Sequence, residues 1–80
     1  MLRLVDAKKT NKAFSAYYIP ENGKEKGFIE LDLNGTVIGQ KLTSYDEVLP
    51  MYFAHARKAM RRYLKENIIP HGDDWLVMWY

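Results

Sequence analysis

The sequence predicts an α+β domain: an antiparallel three-stranded meander, one long helix on one face of that sheet, and a C-terminal strand, in the order βββαβ. Three observations carry this reading. Residues 44–67, SYDEVLPMYFAHARKAMRRYLKEN, form the one stretch with sustained helical periodicity. Residues 14–43 hold short alternating runs around two Asn-Gly pairs, Asn22-Gly23 and Asn34-Gly35, as strands joined by tight turns do. Residues 75–80, Trp75-Leu76-Val77-Met78-Trp79-Tyr80, are an unbroken apolar run whose length and aromatic content suit a strand buried on both faces.

The elements follow in order. Leu2 to Val5 alternate weakly and allow a short extra strand at the N-terminus, before a polar loop from Asp6 to Lys12. Phe14 to Ile19 are aromatic or β-favouring residues ending at Pro20, and Phe28 to Leu33 alternate most clearly. Asn34 and Gly35 both tolerate positive φ, which a two-residue type I′ turn needs. That turn would set Leu33 opposite Thr36, Leu31 opposite Ile38 and Ile29 opposite Gln40 along a third strand, Thr36 to Thr43. The register sends Ile29, Leu31, Leu33, Ile38 and Leu42 to one face and Phe28, Glu30, Asp32, Val37 and Lys41 to the other. Extended back through Asn22-Gly23, it adds Phe14, Ala16 and Tyr18 to the first face and Ser15, Tyr17 and Ile19 to the second.

Ser44 followed by Glu47 matches a capping box. Because proline suits only the opening of a helix, Tyr45 to Leu49 reads as a lead-in turn, with the helix running from about Pro50 to Glu66. Wound at about 100° per residue, Leu49, Tyr52, Phe53, Ala56, Ala59, Met60, Tyr63 and Leu64 fall on one stripe. Arg57, Lys58, Arg61, Arg62 and Lys65 fall on the other side with no acid among them. Ile68 to Asp74, with Pro70 and Gly72, breaks the period and connects to the final strand. A crossover through the helix would let that strand run parallel to the first or third strand of the meander.

Composition narrows the function. Eighty residues, 48% hydrophobic and 28% charged, make one ordinary globular domain spanning residues 1–80, with a core near the lower size limit. A formal net charge of +2 is too balanced for the whole surface to bind nucleic acid. The chain has no cysteine, which excludes disulfides, thiolate metal sites and cysteine nucleophiles. No run is long enough to span a membrane, and nothing at the start has the pattern of a signal peptide, so a cytoplasmic location is expected. Asn34-Gly35-Thr36 fits a glycosylation sequon, but reads better as a turn.

No constellation compels a chemistry. Glu30 and Asp32 share a strand face without a convergent partner. His71-Gly72-Asp73-Asp74 lacks a recognisable metal-ligand spacing. His55 sits at the edge of the helical stripe, and neither Ser15 nor Ser44 has a predictable His partner. The five glycines are too scattered for a phosphate loop. No catalytic residue, metal or cofactor is expected.

A turn at Glu21-Asn22-Gly23, a helix opened by Ser44-Tyr45-Asp46-Glu47, and an alanine-bearing helix through Ala56 and Ala59 resemble the N-terminal domain of HicB-type antitoxins. That resemblance implies binding of a small ribonuclease toxin, and often of DNA through an added C-terminal domain. These residues carry no such added domain, and Ile38-Gly39-Gln40 stands where the family has a Pro-Gly-Cys-like segment before its helix.

Two surfaces could do work. One helix covers one sheet face, so Tyr17, Ile19, Phe28 and Val37 on the other form an apolar patch of the kind that marks interaction sites. The expectation is a non-enzymatic interaction module binding a protein partner, chiefly a second copy of itself as a homodimer. The alternative is a nucleic-acid binder using Arg57, Lys58, Arg61, Arg62 and Lys65, with Tyr17 and Phe28 as stacking platforms.

Overall fold

Alternation in the first half of the chain and helical periodicity in the second give an antiparallel sheet with one long helix, as expected of an α+β domain. The structure, a computed structural model, describes residues 2–20, 23, 25–46, 50–67 and 75–77, with the backbone alone at 45 and 75–77. The elements are β1 (Leu2–Lys9), β2 (Ala13–Pro20), β3 (Gly27–Asp32), β4 (Val37–Lys41), a single 3-10 turn (Ser44–Asp46), α1 (Met51–Glu66) and β5 (Trp75–Val77). The strands lie in the order β4-β3-β2-β1-β5, and every neighbouring pair is antiparallel.

The N-terminal strand is longer than the sequence implied. Residues Asp6 to Lys9, read as loop, continue β1, because the strand carries a bulge between Val5 and Lys8. Asp6 there has φ of 52°, a left-handed conformation that aspartate tolerates better than most side chains. The extra residue hides the alternation while Lys8 and Lys9 still pair with Ser15 and Phe14. With β1 already beside β2, the final strand takes the outer side of β1. It runs antiparallel to β1 over Leu2–Leu4, not parallel to a strand of the meander as expected.

The β3–β4 turn also differs from expectation. Gly35 alone in it adopts positive φ, at 89°. Its amide donates to the Asp32 carbonyl at 3.0 Å, and Asp32 Oδ1 accepts from the amides of Asn34 and Thr36, both at 2.9 Å. An aspartate that satisfies two turn amides favours this wider turn over the two-residue type I′ form. The register shifts accordingly. Ile29 pairs with Gln40 and Phe28 with Lys41 as expected, but Leu31 pairs with Val37 rather than Ile38. Val37 therefore packs against the core, and Ile38 is 55% exposed.

Of the two bulged strands, β4 is a sheet edge, and it ends at Lys41. Bulges and charges at sheet edges discourage strand-to-strand aggregation.

The β2–β3 register places Phe14, Ala16 and Tyr18 with Ile29 and Leu31, and all five are buried. They meet Leu2 and Leu4 of β1 and Phe53, Ala56, Met60 and Tyr63 of α1 in one cluster. The i, i+3, i+7 and i+10 spacing of those helical residues is the stripe expected of a helix on a sheet.

The expected capping box rests in part on Glu47, which lies outside the described residues. Ser44 donates its amide and hydroxyl to the Glu25 carboxylate, at 3.0 and 2.7 Å. Pro50 occupies the capping position without a side-chain bond. Asp46 reaches the helix instead, accepting the Tyr52 amide on Oδ1 at 3.0 Å. Its Oδ2 accepts from the Tyr18 hydroxyl at 2.6 Å and from Thr43 Oγ1 at 3.3 Å. The Thr43 amide donates in turn to the Tyr18 hydroxyl at 3.2 Å. Tyr18, Thr43 and Asp46 are essentially inaccessible, so this small network ties β2, the 3-10 turn and the helix start together. Tyr18 crosses directly over Gly27, its cross-strand partner, and any side chain there would fall inside its ring. Helix α1 ends at Asn67, whose φ of 55° and amide bond to the Leu64 carbonyl close the last turn.

Candidate functional site

Residues directly opposite across an antiparallel pair point to the same face, so the registers define the outer face row by row. One row runs Val5–Tyr17–Phe28–Lys41 across β1 to β4. The next runs Lys8–Ser15–Glu30–Gly39, and Arg3 pairs with Ile19 on the other side. The helix lies against the opposite face.

At the centre of this face Tyr17 and Phe28 touch, ring centroids 5.1 Å apart and planes tilted by 54°. Tyr17 is 39% exposed and Phe28 is partly exposed. Lys26, just before β3, places Nζ 5.7 Å from the centroid of the Tyr17 ring, a cation–π contact. Lys41 stands beside Phe28, and Lys8 lies one row away; all three lysines are exposed. The acids nearby are largely engaged elsewhere. Asp32 is turned into its own loop, and Glu25 is bound by Ser44. Glu30, against Gly39, is the remaining carboxylate in these rows. The face is therefore a partly exposed aromatic pair flanked by three lysines, with Glu30 as the one carboxylate in these rows.

Of the four residues expected to form an apolar patch, the structure brings Tyr17 and Phe28 together. Ile19 shares their face but is only 8% exposed. Val37 lies on the helix side through the shifted register.

The basic side of α1 is more internally committed than its spacing implied. Arg61 Nε donates to the Gly35 carbonyl at 2.8 Å, so it braces the β3–β4 turn. Arg62 approaches Glu66 at 3.8 Å and the Tyr63 ring at 5.9 Å. The Arg57 guanidinium lies 5.7 Å from the centroid of the Phe53 ring. Lys58 and Lys65 are exposed.

Sequence reasoning overlooked Lys8 and Lys26 as members of the outer face. Lys8 was hidden by the bulge, which no local pattern announces, and Lys26 sat in what read as a turn. Lys41 was placed on this face by the hairpin register, so its position beside Phe28 was already legible.

Glu30 and Asp32 share the outer face of β3 as expected, and Asp32 Oδ1 is taken up by the turn amides. Among the described residues no group of three or more His, Asp or Glu is placed to hold a metal. The stretch His71-Gly72-Asp73-Asp74 and the side chains of residues 75–80 lie outside the described residues. Among the described residues no helix is long and apolar enough to cross a membrane.

Comparison with family models, with curated proteins and with solved structures finds no match to this chain.

Proposed function

We propose that this chain is a non-enzymatic binding module that takes an anionic partner on the outer face of its sheet. The observation that carries the reading is the row Val5–Tyr17–Phe28–Lys41, with its two rings in contact and Lys26 and Lys8 beside it. Several cations around one contact surface raise the local potential and attract anions, even on a chain of small net charge.

The same rings also support self-association, the reading that alternation alone favours. Two features weigh against it. Among the described residues the exposed apolar surface of this face is smaller than the sequence implied, since Ile19 is nearly covered and Val37 faces the core. A second copy docked face to face would also oppose lysines to lysines, and like-charge juxtaposition disfavours an interface.

Retention on immobilised heparin separates the outer sheet face from the basic side of the helix. The variant Lys8→Glu/Lys41→Glu should elute at markedly lower salt than the wild type. Lys58→Glu/Lys65→Glu, which shifts the net charge by the same amount, should elute close to it. The opposite ranking would place anion binding on the helix and defeat the proposal.

A further inference from the structure

We infer that the partner of this face is single-stranded nucleic acid, bound by stacking of unpaired bases on Tyr17 and Phe28 with phosphates on Lys8, Lys26 and Lys41. The inference rests on the outer-face reading above and adds the ligand's chemistry to it.

Charge asks only for an anion; the rings ask for more. Tyr17 and Phe28 are adjacent on neighbouring strands, in contact, and reachable from solvent. Two partly exposed rings in contact on a sheet, tilted 54° to one another, offer successive contacts to planar groups presented one after another along a chain. Every base has such a face, which makes this mode of binding tolerant of sequence. In a duplex the base faces are already stacked on one another and cannot lie on protein rings. An acidic peptide would satisfy the lysines but leave the rings without planar partners.

The cations are placed for a backbone that crosses the strands. Lys41 flanks Phe28 on β4, Lys8 lies on β1 beyond Tyr17, and Lys26 approaches the Tyr17 ring from the start of β3. These lysines come from β1, from β4 and from the residue just before β3, around the aromatic pair, so a strand of phosphates can pass them while its bases turn inward. Lys26 now rests against Tyr17 through a single flexible, exposed side chain. It can swing to a phosphate without disturbing the core.

The test is a fluorescence anisotropy titration of the intact chain with labelled dodecathymidylate, with its duplex on dodecaadenylate, and with labelled polyglutamate. The single strand should bind tightest. Its affinity should fall with salt along a logarithmic slope of about −2, as expected for three neutralised phosphates on a single strand. Lys41→Gln should flatten that slope by about 0.7. Tyr17→Leu should weaken the single strand by about fivefold or more, which is the loss of one base stack, and leave the weak polyglutamate binding unchanged. Phe28→Leu should behave alike. If it fails to fold, Tyr17→Leu, at a position 39% exposed, still decides the matter. Duplex or polyglutamate binding as tight as the single strand, an unchanged affinity in folded Tyr17→Leu, or no binding of the single strand would each overturn the inference. Equal binding of polyglutamate would do so while leaving the outer-face reading intact, because that reading stands or falls on the heparin ranking.

Discussion

Replacing Asp46 with alanine should cost about 3–5 kcal/mol of folding stability, read from the urea denaturation midpoint. The carboxylate accepts three hydrogen bonds from Tyr18, Thr43 and the Tyr52 amide, two of them in essentially inaccessible surroundings. A buried donor left without an acceptor costs about 1–3 kcal/mol. Removing an acceptor shared by several donors therefore exceeds the usual effect of a single substitution. A domain of this size typically has only about 4–12 kcal/mol in total. Asp46→Asn, which keeps the shape and one acceptor oxygen, should cost less. A loss below about 1 kcal/mol for Asp46→Ala would mean that the network does not hold the helix start. The same network gives a pH signature. Burial, and then the bond to Asp46, hold the Tyr18 hydroxyl well above the ordinary tyrosine range. A group whose pKa is raised by folding contributes stability that is complete below its unfolded value, near pH 10. Stability should therefore decline as pH rises above about 10, and the decline should be shallower in Asp46→Ala.

Phe53→Ala should cost about 3–5 kcal/mol, and Met60→Ala about 2–5. Phe53 meets Tyr18 edge-on, ring centroids 6.2 Å apart, while Arg57 lies over its ring. Truncation would open a cavity beside the polar network and free the arginine at once. Met60 is fully buried in the same cluster. Met51, on the same helix but 41% exposed, provides the contrast. Its replacement by alanine should stay within about 0.5 kcal/mol. Equal losses at Met51 and Phe53 would mean that the buried stripe of the helix is misassigned.

These two sets of residues were not equally legible. The stripe from Phe53 to Tyr63 stands out at helical spacing because burial on a sheet repeats every third or fourth residue. The helix accordingly runs Met51–Glu66, close to the range its period gave. The Asp46 network was invisible, because it joins residues 28 positions apart and neither Tyr18 nor Asp46 is unusual in its own stretch. A stronger local pattern, Ser44 with Glu47, pointed to a capping box whose Glu47 lies outside the described residues, and it gave no sign that Glu25, 19 positions away, accepts from Ser44. The hairpin at Asn34-Gly35 was found in the right place with the wrong turn. Asp32, two residues before the expected loop, competes for the turn amides and so decides its width. That one-residue difference moved Val37 off the outer face.

The outer face itself was half legible. Alternation puts Tyr17 and Phe28 on it from sequence alone, and the β2–β3 register brings the rings together. Of the cations around them, Lys41 follows from the hairpin register, whereas Lys8 depends on the bulge near Asp6 and Lys26 on a side chain folding back from just before β3, neither of which has a local signature. The basic side of the helix stood out more strongly in sequence. Its arginines, however, are drawn into contacts with Gly35, Phe53 and Glu66.

The central claim is that the sheet, rather than the helix, carries the working surface. Its most direct test is a map of backbone amide shifts in ¹⁵N-labelled protein during titration with a short single-stranded oligonucleotide at low salt, where charge attraction is least screened. The account predicts that the moving amides cluster at Lys8, Tyr17, Phe28 and Lys41. Shifts gathered instead at Lys58, Arg62 and Lys65, with the outer strands silent, would contradict it.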